Sequence, residues 1–217
     1  MSLYFKKLES MVNEIVNIDI KKNLINKITL NIDNKIYIVE TLEKKNLSHL
    51  FEYFNSFTNE EKEYFGYPLF RPINKSYLEF SKSYYDWLVE KDNWNVFMLY
   101  EKYCEKVIAV SYIKKINFKN SENEEFKSPT WFNSVRSEFR SLRFKNNKLY
   151  KLSYLMGFIV ILQAEYKNLK YLYGRGRQNN PAVNKYHMAL GFKKTGRNFT
   201  VKTQNFSFND TEYILEL

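Results

Sequence analysis

The spacing of apolar side chains changes period repeatedly along the chain, and each change marks an element. Residues 4–30 read as a Lys- and Asn-rich helix leading into a strand over 27–32. Asp33 and Asn34 then turn the chain into 35–40, where apolar and polar residues alternate, so the two runs form a hairpin. Over 43–57 the apolar positions Leu47, Leu50, Phe51, Phe54 and Phe57 recur at three and four residues, the period of a helix. Thr58 followed by Glu60, Glu61 and Glu63 gives an acidic first turn to a second short helix. Pro68 and Pro72 bracket a loop, and 76–90 is helical again. Two strands follow, 95–100 and 107–113, then a polar loop or hairpin tip over 117–128. The strand signal across 130–144 is weaker and is best in 137–144.

The clearest element is a helix over 148–166, with Leu149, Leu152, Leu155, Ile159, Leu162 and Tyr166 on one stripe and Asn147 as its N-cap. Asn168 ends it, and 170–173 is a strand that runs into Gly174, Arg175 and Gly176. Asn180 then precedes Pro181, the pairing of an N-cap with proline at the first helical position. That helix covers 181–190 and is closed by Gly191, which can take the left-handed conformation. Two last strands fall near 198–203 and 211–217. No internal repeat and no linker interrupts the chain, so 1–217 reads as one domain.

Composition narrows the class of protein. Apolar residues make up 44% of the 217 and aromatic residues 18%, which excludes a disordered chain. The net charge of +10 suggests a polyanionic partner, but the cations are 27 Lys against 7 Arg, beside 25 Asn and 4 Ala. That mixture is the mark of an A/T-rich coding sequence, so half of the charge is set aside as drift on solvated faces. Cys104 is the single cysteine, and His49 and His187 lie far apart, so no disulfide and no metal-ligand spacing is present. The longest apolar run, 152–162, is far short of the roughly 20 residues that span a bilayer. With no apolar signal core near Met1, the expectation is a soluble, cytoplasmic protein without membrane contact.

Three stretches carry candidate chemistry. Gly174 and Gly176 after a strand invite a dinucleotide fingerprint, but Asn179 stands at the third glycine position and 41 residues are too few for the rest of such a fold. Arg136, Arg140, Arg143, Lys145 and Lys148 lead into the start of the long helix, where free N–H groups and the helix dipole suit a phosphate. From those residues alone a solvated basic turn is the better reading. The third stretch is Asn180, Val183, His187, Gly191 and Phe192, a capped helix that stops at Gly-Phe.

The order of elements together with that last stretch resembles the GNAT superfamily of N-acetyltransferases. The family pattern Asn-x-x-Ala-x-x-x-Tyr-x-x-x-Gly-Phe aligns ungapped with Asn180, Val183, His187, Gly191 and Phe192, followed by Lys193, Lys194, Thr195 and Gly196. Shifted by one residue, Asn179, Ala182 and Tyr186 match instead, with one extra residue before Gly191. The family's pyrophosphate loop falls on Lys145, Asn146, Asn147, Lys148, Leu149 and Tyr150, which hold no glycine. The resemblance implies an α/β (α+β) fold: a central mixed, mostly antiparallel twisted sheet of roughly six to seven strands with about four helices. The core would be 35–217, and 1–34 an N-terminal helix and strand extension.

The resemblance also implies a function and a site. Acetyl would pass from acetyl-CoA directly to a primary amine, with a small-molecule acceptor favoured over a protein, no metal, and a monomer or homodimer as the working form. Strand 137–144 would splay from strand 170–173, so that the backbone around Leu142, Arg143 and Phe144 pairs with the pantetheine arm. Residues 145–150 would hold the pyrophosphate, with Asn180 also at the cofactor. The acid that protonates the departing thiolate would be Tyr186 or His187, and Glu138 is the candidate base. Neighbours on a helix point about 100° apart, so only one of Tyr186 and His187 can face the site. Two other readings stand beside this one: a GNAT-like fold that binds CoA or another ligand without catalysis, and a basic nucleic-acid-binding module.

Overall fold

The computed structural model describes residues 2–57, 76–91, 94–104, 106–114, 133–135, 152–202 and 207–217. The second short helix expected after Thr58, the loop at Pro68 and Pro72, the polar tip 117–128 and strand 137–144 lie outside these residues. The chain opens with α1 (Leu3–Met11), β1 (Glu14–Lys21), β2 (Leu24–Ile32) and β3 (Lys35–Thr41). A 3-10 turn leads into α2 (Leu47–Asn55), and α3 begins as an α-turn (Tyr77–Phe80) and continues as a π-helix (Ser81–Lys91). Then come β4 (Trp94–Glu101), β5 (Val107–Lys114), β6 (Asn133–Val135) and α4 (Leu152–Tyr166). The chain finishes with β7 (Tyr171–Arg177), α5 (Pro181–Ala189), β8 (Lys193–Lys202) and β9 (Ser207–Glu216).

The described strands form two sheets. Strands β1 to β6 lie side by side in chain order, and β7, β9 and β8 form a second sheet with β9 in the middle. Every ladder is antiparallel. Among the described residues no ladder joins β6 to β7.

Before β2 the sequence reading needs correction. The N-terminal helix ends at Met11, and β1 with the first residues of β2 takes up the rest of the segment assigned to it. Lys22 and Asn23 sit at φ 51° and 60°, a two-residue turn with both residues left-handed, as do Asp33 and Asn34 at 52° and 61°. Two consecutive positive φ values match the right-handed twist of paired strands, so each pair makes a tight hairpin. Asp33-Asn34 announces itself by composition; Lys22-Asn23 does not, because lysine is a poor turn marker.

Two apolar layers cover the large sheet. Along β4, Phe97 and Leu99 point into one and Val96 and Met98 into the other, the alternation that a strand imposes. The first layer takes Leu8 and Met11 of α1, the length of α4, and Leu172, Tyr213 and Leu215, which join the small sheet to it. The second lies under α2 and α3, where Leu50, Phe54, Phe80 and Tyr84 meet Val110 and Tyr112. There the Tyr84 hydroxyl donates to that of Tyr112 at 2.5 Å, and burial pushes both phenol pKa values well up. The single apolar stripe expected of α4 is wider than expected: every residue from Leu155 to Ala164 is buried, because α1, β2, β5 and β6 all pack against it. Even Gln163 is fully buried, its carbonyl accepting from Ile25 N at 2.7 Å and its amide donating to Asn23 O at 3.0 Å.

Candidate active site

The site builds outward from α5. Asn180 Oδ1 accepts from the backbone N–H groups of Ala182 and Val183 at 3.1 and 3.3 Å, so the expected N-cap is in place, and Pro181 follows it. At the other end Gly191 takes φ +98°, and the N–H groups of Gly191 and Phe192 close the helix on Met188 O and His187 O, both at 3.0 Å. Gly174 and Gly176 lie inside β7 rather than in a turn after it. A Cβ on Gly176 would stand 2.2 Å from Val183 Cγ1, so the missing side chain is what lets α5 lie against β7. Gly176 is thus a helix–strand contact, which explains it without a nucleotide.

Tyr186 and His187 leave α5 in different directions. The Tyr186 hydroxyl donates to Ser153 O at 2.7 Å, in the first turn of α4. Its ring lies 5.1 Å from that of Tyr154, and a Cβ on Gly157 would come within 2.5 Å of its hydroxyl oxygen. Gly157 is therefore the socket for this hydroxyl on α4. The His187 ring turns the other way, into the layer below: it stacks on Tyr213 at 4.3 Å and 7° and meets Phe192 edge-on at 5.4 Å. It is 3% exposed, and burial pushes its pKa down to about 4 against an opposing hydrogen bond to Val183. Its Nδ1 lies 2.9 Å from Val183 O, and a carbonyl can only accept, so Nδ1 carries the proton of a neutral ring at pH 7. The Tyr213 hydroxyl in turn bonds Asn184, which ties β9 to the same helix.

Among the expected site residues, Tyr186, His187 and Asn180 come together on α5, while Glu138 and all of 142–150 lie outside the described residues. Sequence reading missed Ser153, Gly157 and Tyr213, which receive the two rings. Gly157 in the middle of a strongly apolar helix was a usable signal, since glycine there costs about 1 kcal/mol and needs a packing reason. A separate cleft of about 720 Å³ opens at the opposite end of α4, lined by Ser2, Phe5, Leu162, Glu165, Tyr166 and Lys170. Among the described residues no group of His, Cys, Asp or Glu side chains could hold a metal, and no helix is long and apolar enough to cross a membrane.

By sequence the chain matches no family model and no curated protein. Its structure is similar to solved acetyltransferases. Spermidine N-acetyltransferase from Vibrio cholerae, in complex with CoA and spermine, is 14% identical at a TM-score of 0.55, covering 83% of this chain and 95% of that one. Ribosomal-protein-S5-alanine acetyltransferase from Vibrio fischeri is 16% identical at 0.57, covering 83% and 92%. A GNAT-family acetyltransferase from Streptococcus pneumoniae is 12% identical at 0.54, covering 83% and 99%. The chain has the fold of the GNAT N-acetyltransferases.

Proposed function

We propose that this chain is a GNAT-type N-acetyltransferase that moves an acetyl group from acetyl-CoA directly to a primary amine of a small molecule. The observation that carries the reading is the likeness of the fold to solved acetyltransferases, with Tyr186 brought by α5 to the first turn of α4. A splay between strand 137–144 and β7 would leave strand edges to pair with an extended ligand. Acetyl-CoA supplies the activated acyl group; the chain must hold it, lend a proton to the departing thiolate and let the amine lose one. Lys145 and Lys148, at the approach to α4, are the assigned pyrophosphate ligands, with Leu142, Arg143 and Phe144 along the arm. Tyr186 is the assigned acid: a phenol carries its proton at pH 7, and this one lies beside the start of α4. To give that proton away it exchanges its bond to Ser153 O for one to sulfur. His187, buried and neutral, is assigned to holding α5 on β9. Glu138 or a water takes the amine's proton. The small-molecule acceptor is favoured by likeness to a spermidine acetyltransferase, though another similar protein is named for a ribosomal-protein substrate.

The test is a thermal melt with acetyl-CoA, free CoA and a short oligonucleotide, followed by thiol release over a panel of amines. For a dissociation constant near 10 μM, a hundredfold excess stabilises by about 2.7 kcal/mol, a rise of roughly 5–10 °C at this size. A rise with acetyl-CoA and thiol release with one class of amine supports the enzyme. The loop 145–150, which has no glycine, favours a second reading, a GNAT-like protein that binds without catalysis. A rise with no thiol release from any amine supports that one. No rise with either CoA species sinks both.

A further inference from the structure

We infer that α1 is a strap that sets the helix carrying Tyr186, and that the Tyr4 hydroxyl is the contact through which it acts. The inference rests on the role proposed above for Tyr186. Helix α1 lies across the far end of α4 and reaches the end of α5. At one side Ser2 caps α1, accepting from Tyr4 N at 3.0 Å, and its hydroxyl donates to Glu165 of α4. At the other, the Tyr4 hydroxyl donates to Leu190 O at 3.3 Å. The last carbonyls of a helix have no partner within it, so Tyr4 supplies one from outside. Its ring is buried, with that of Phe158 of α4 at 6.2 Å. Burial, helped by the charge of Glu165, raises the Tyr4 pKa and keeps the donor proton in place.

Leu190 is the residue that passes the position on. Its side chain sits over Gly157, where a Cβ would come within 2.8 Å of Leu190 Cδ1. Its N–H donates to Tyr186 O at 3.1 Å. Leu190 is thus pressed on α4 by its side chain, held by α1 at its carbonyl and bonded to the backbone of Tyr186. Gly191 completes the junction: a Cβ there would crowd the Tyr4 hydroxyl at 3.2 Å, and its φ of +98° favours glycine as well. Removing the Tyr4 bond frees the last turn of α5 and lets the backbone of Tyr186 shift, so that its hydroxyl is no longer held at the start of α4.

The test uses Tyr4→Phe in the full chain, which keeps the ring and removes the bond. Hydrogen exchange of the 184–192 segment is compared with that of 24–41, and kcat and the acetyl-CoA KM are measured with an amine that the wild type acetylates. The loss of one hydrogen bond should speed exchange in 184–192 about fivefold. The 24–41 segment should be unchanged, and kcat should fall by a similar factor at constant KM. Unchanged exchange in 184–192, or an equal rise in both segments, overturns the strap whatever the enzyme does. Faster exchange in 184–192 alone, in a protein that acetylates no amine, upholds the strap and removes the proposed function instead.

Discussion

Tyr186 and His187 are adjacent, yet one reaches across to a neighbouring helix while the other is locked into the core. For Tyr186→Phe the expected outcome is a fall in kcat of about 100-fold with little change in the acetyl-CoA KM, because proton transfer is lost and binding is not. An unchanged kcat at saturating substrate would remove Tyr186 from the chemistry. His187 makes its prediction through pH. Its folded pKa of about 4 lies below the ordinary value of 6.5, so between those values the unfolded chain binds the proton more readily. Stability is therefore full above pH 6.5 and drains away as the pH falls towards 4, by at most about 3 kcal/mol. Melts of wild type and His187→Phe across that window should differ in slope, the variant being flatter; parallel curves would mean His187 is not the group responsible. Sequence spacing brought both residues into view but could not choose between them. What holds His187 in the core is Tyr213, an aromatic surface 26 residues further along the chain that local periodicity cannot register.

At the scale of elements, packing between α4 and α5 overrides intrinsic propensity. Glycine inside a helix is normally worse than alanine by about 1 kcal/mol, so Gly157→Ala looks stabilising from sequence. The added methyl would stand 2.5 Å from the Tyr186 hydroxyl and 2.8 Å from Leu190 Cδ1, both far inside contact distance. Overpacking of that kind costs about 1–3 kcal/mol, which outweighs the gain. The expectation is a lower melting temperature together with lost acetyl transfer; a higher one would show that α5 can step back freely. The same contrast explains which elements were legible. Helix α5 carries its own punctuation, with Asn180 and Pro181 at its start and Gly191 at its end, and its limits follow from local rules. Strand β1 has no such marks: its isoleucines fit a helix nearly as well as a strand until β2 pairs with it. The burial of α4 on all sides likewise belongs to its neighbours rather than to its own periodicity.

At the scale of the whole molecule, residues 1–34 are structurally continuous with the remainder of the chain. Ile25, Ile28, Leu30 and Ile32 of β2 and Leu8 and Met11 of α1 are each 1% exposed or less, and all belong to the layer that α4 fills. Without them β3 becomes a bare edge, and the side of α4 that carries Phe158 and Gln163 loses its cover. Gln163 loses both backbone partners, since Ile25 N and Asn23 O come from the first hairpin. An exposed apolar helix beside an unpaired strand invites aggregation, and orphaning a buried amide adds about 1–3 kcal/mol. The fragment 35–217 therefore should not fold on its own, even though it contains every residue assigned to the site. The check is a circular-dichroism melt and size-exclusion profile of that fragment beside the full chain. A broad, non-cooperative melt and material in the void volume are expected. A sharp melt from a monodisperse fragment would instead mean that the six-stranded sheet is dispensable at its N-terminal edge. In that case α1 would lose its claim on α5 as well, because a core that is stable without α1 needs no strap to keep its helices in register.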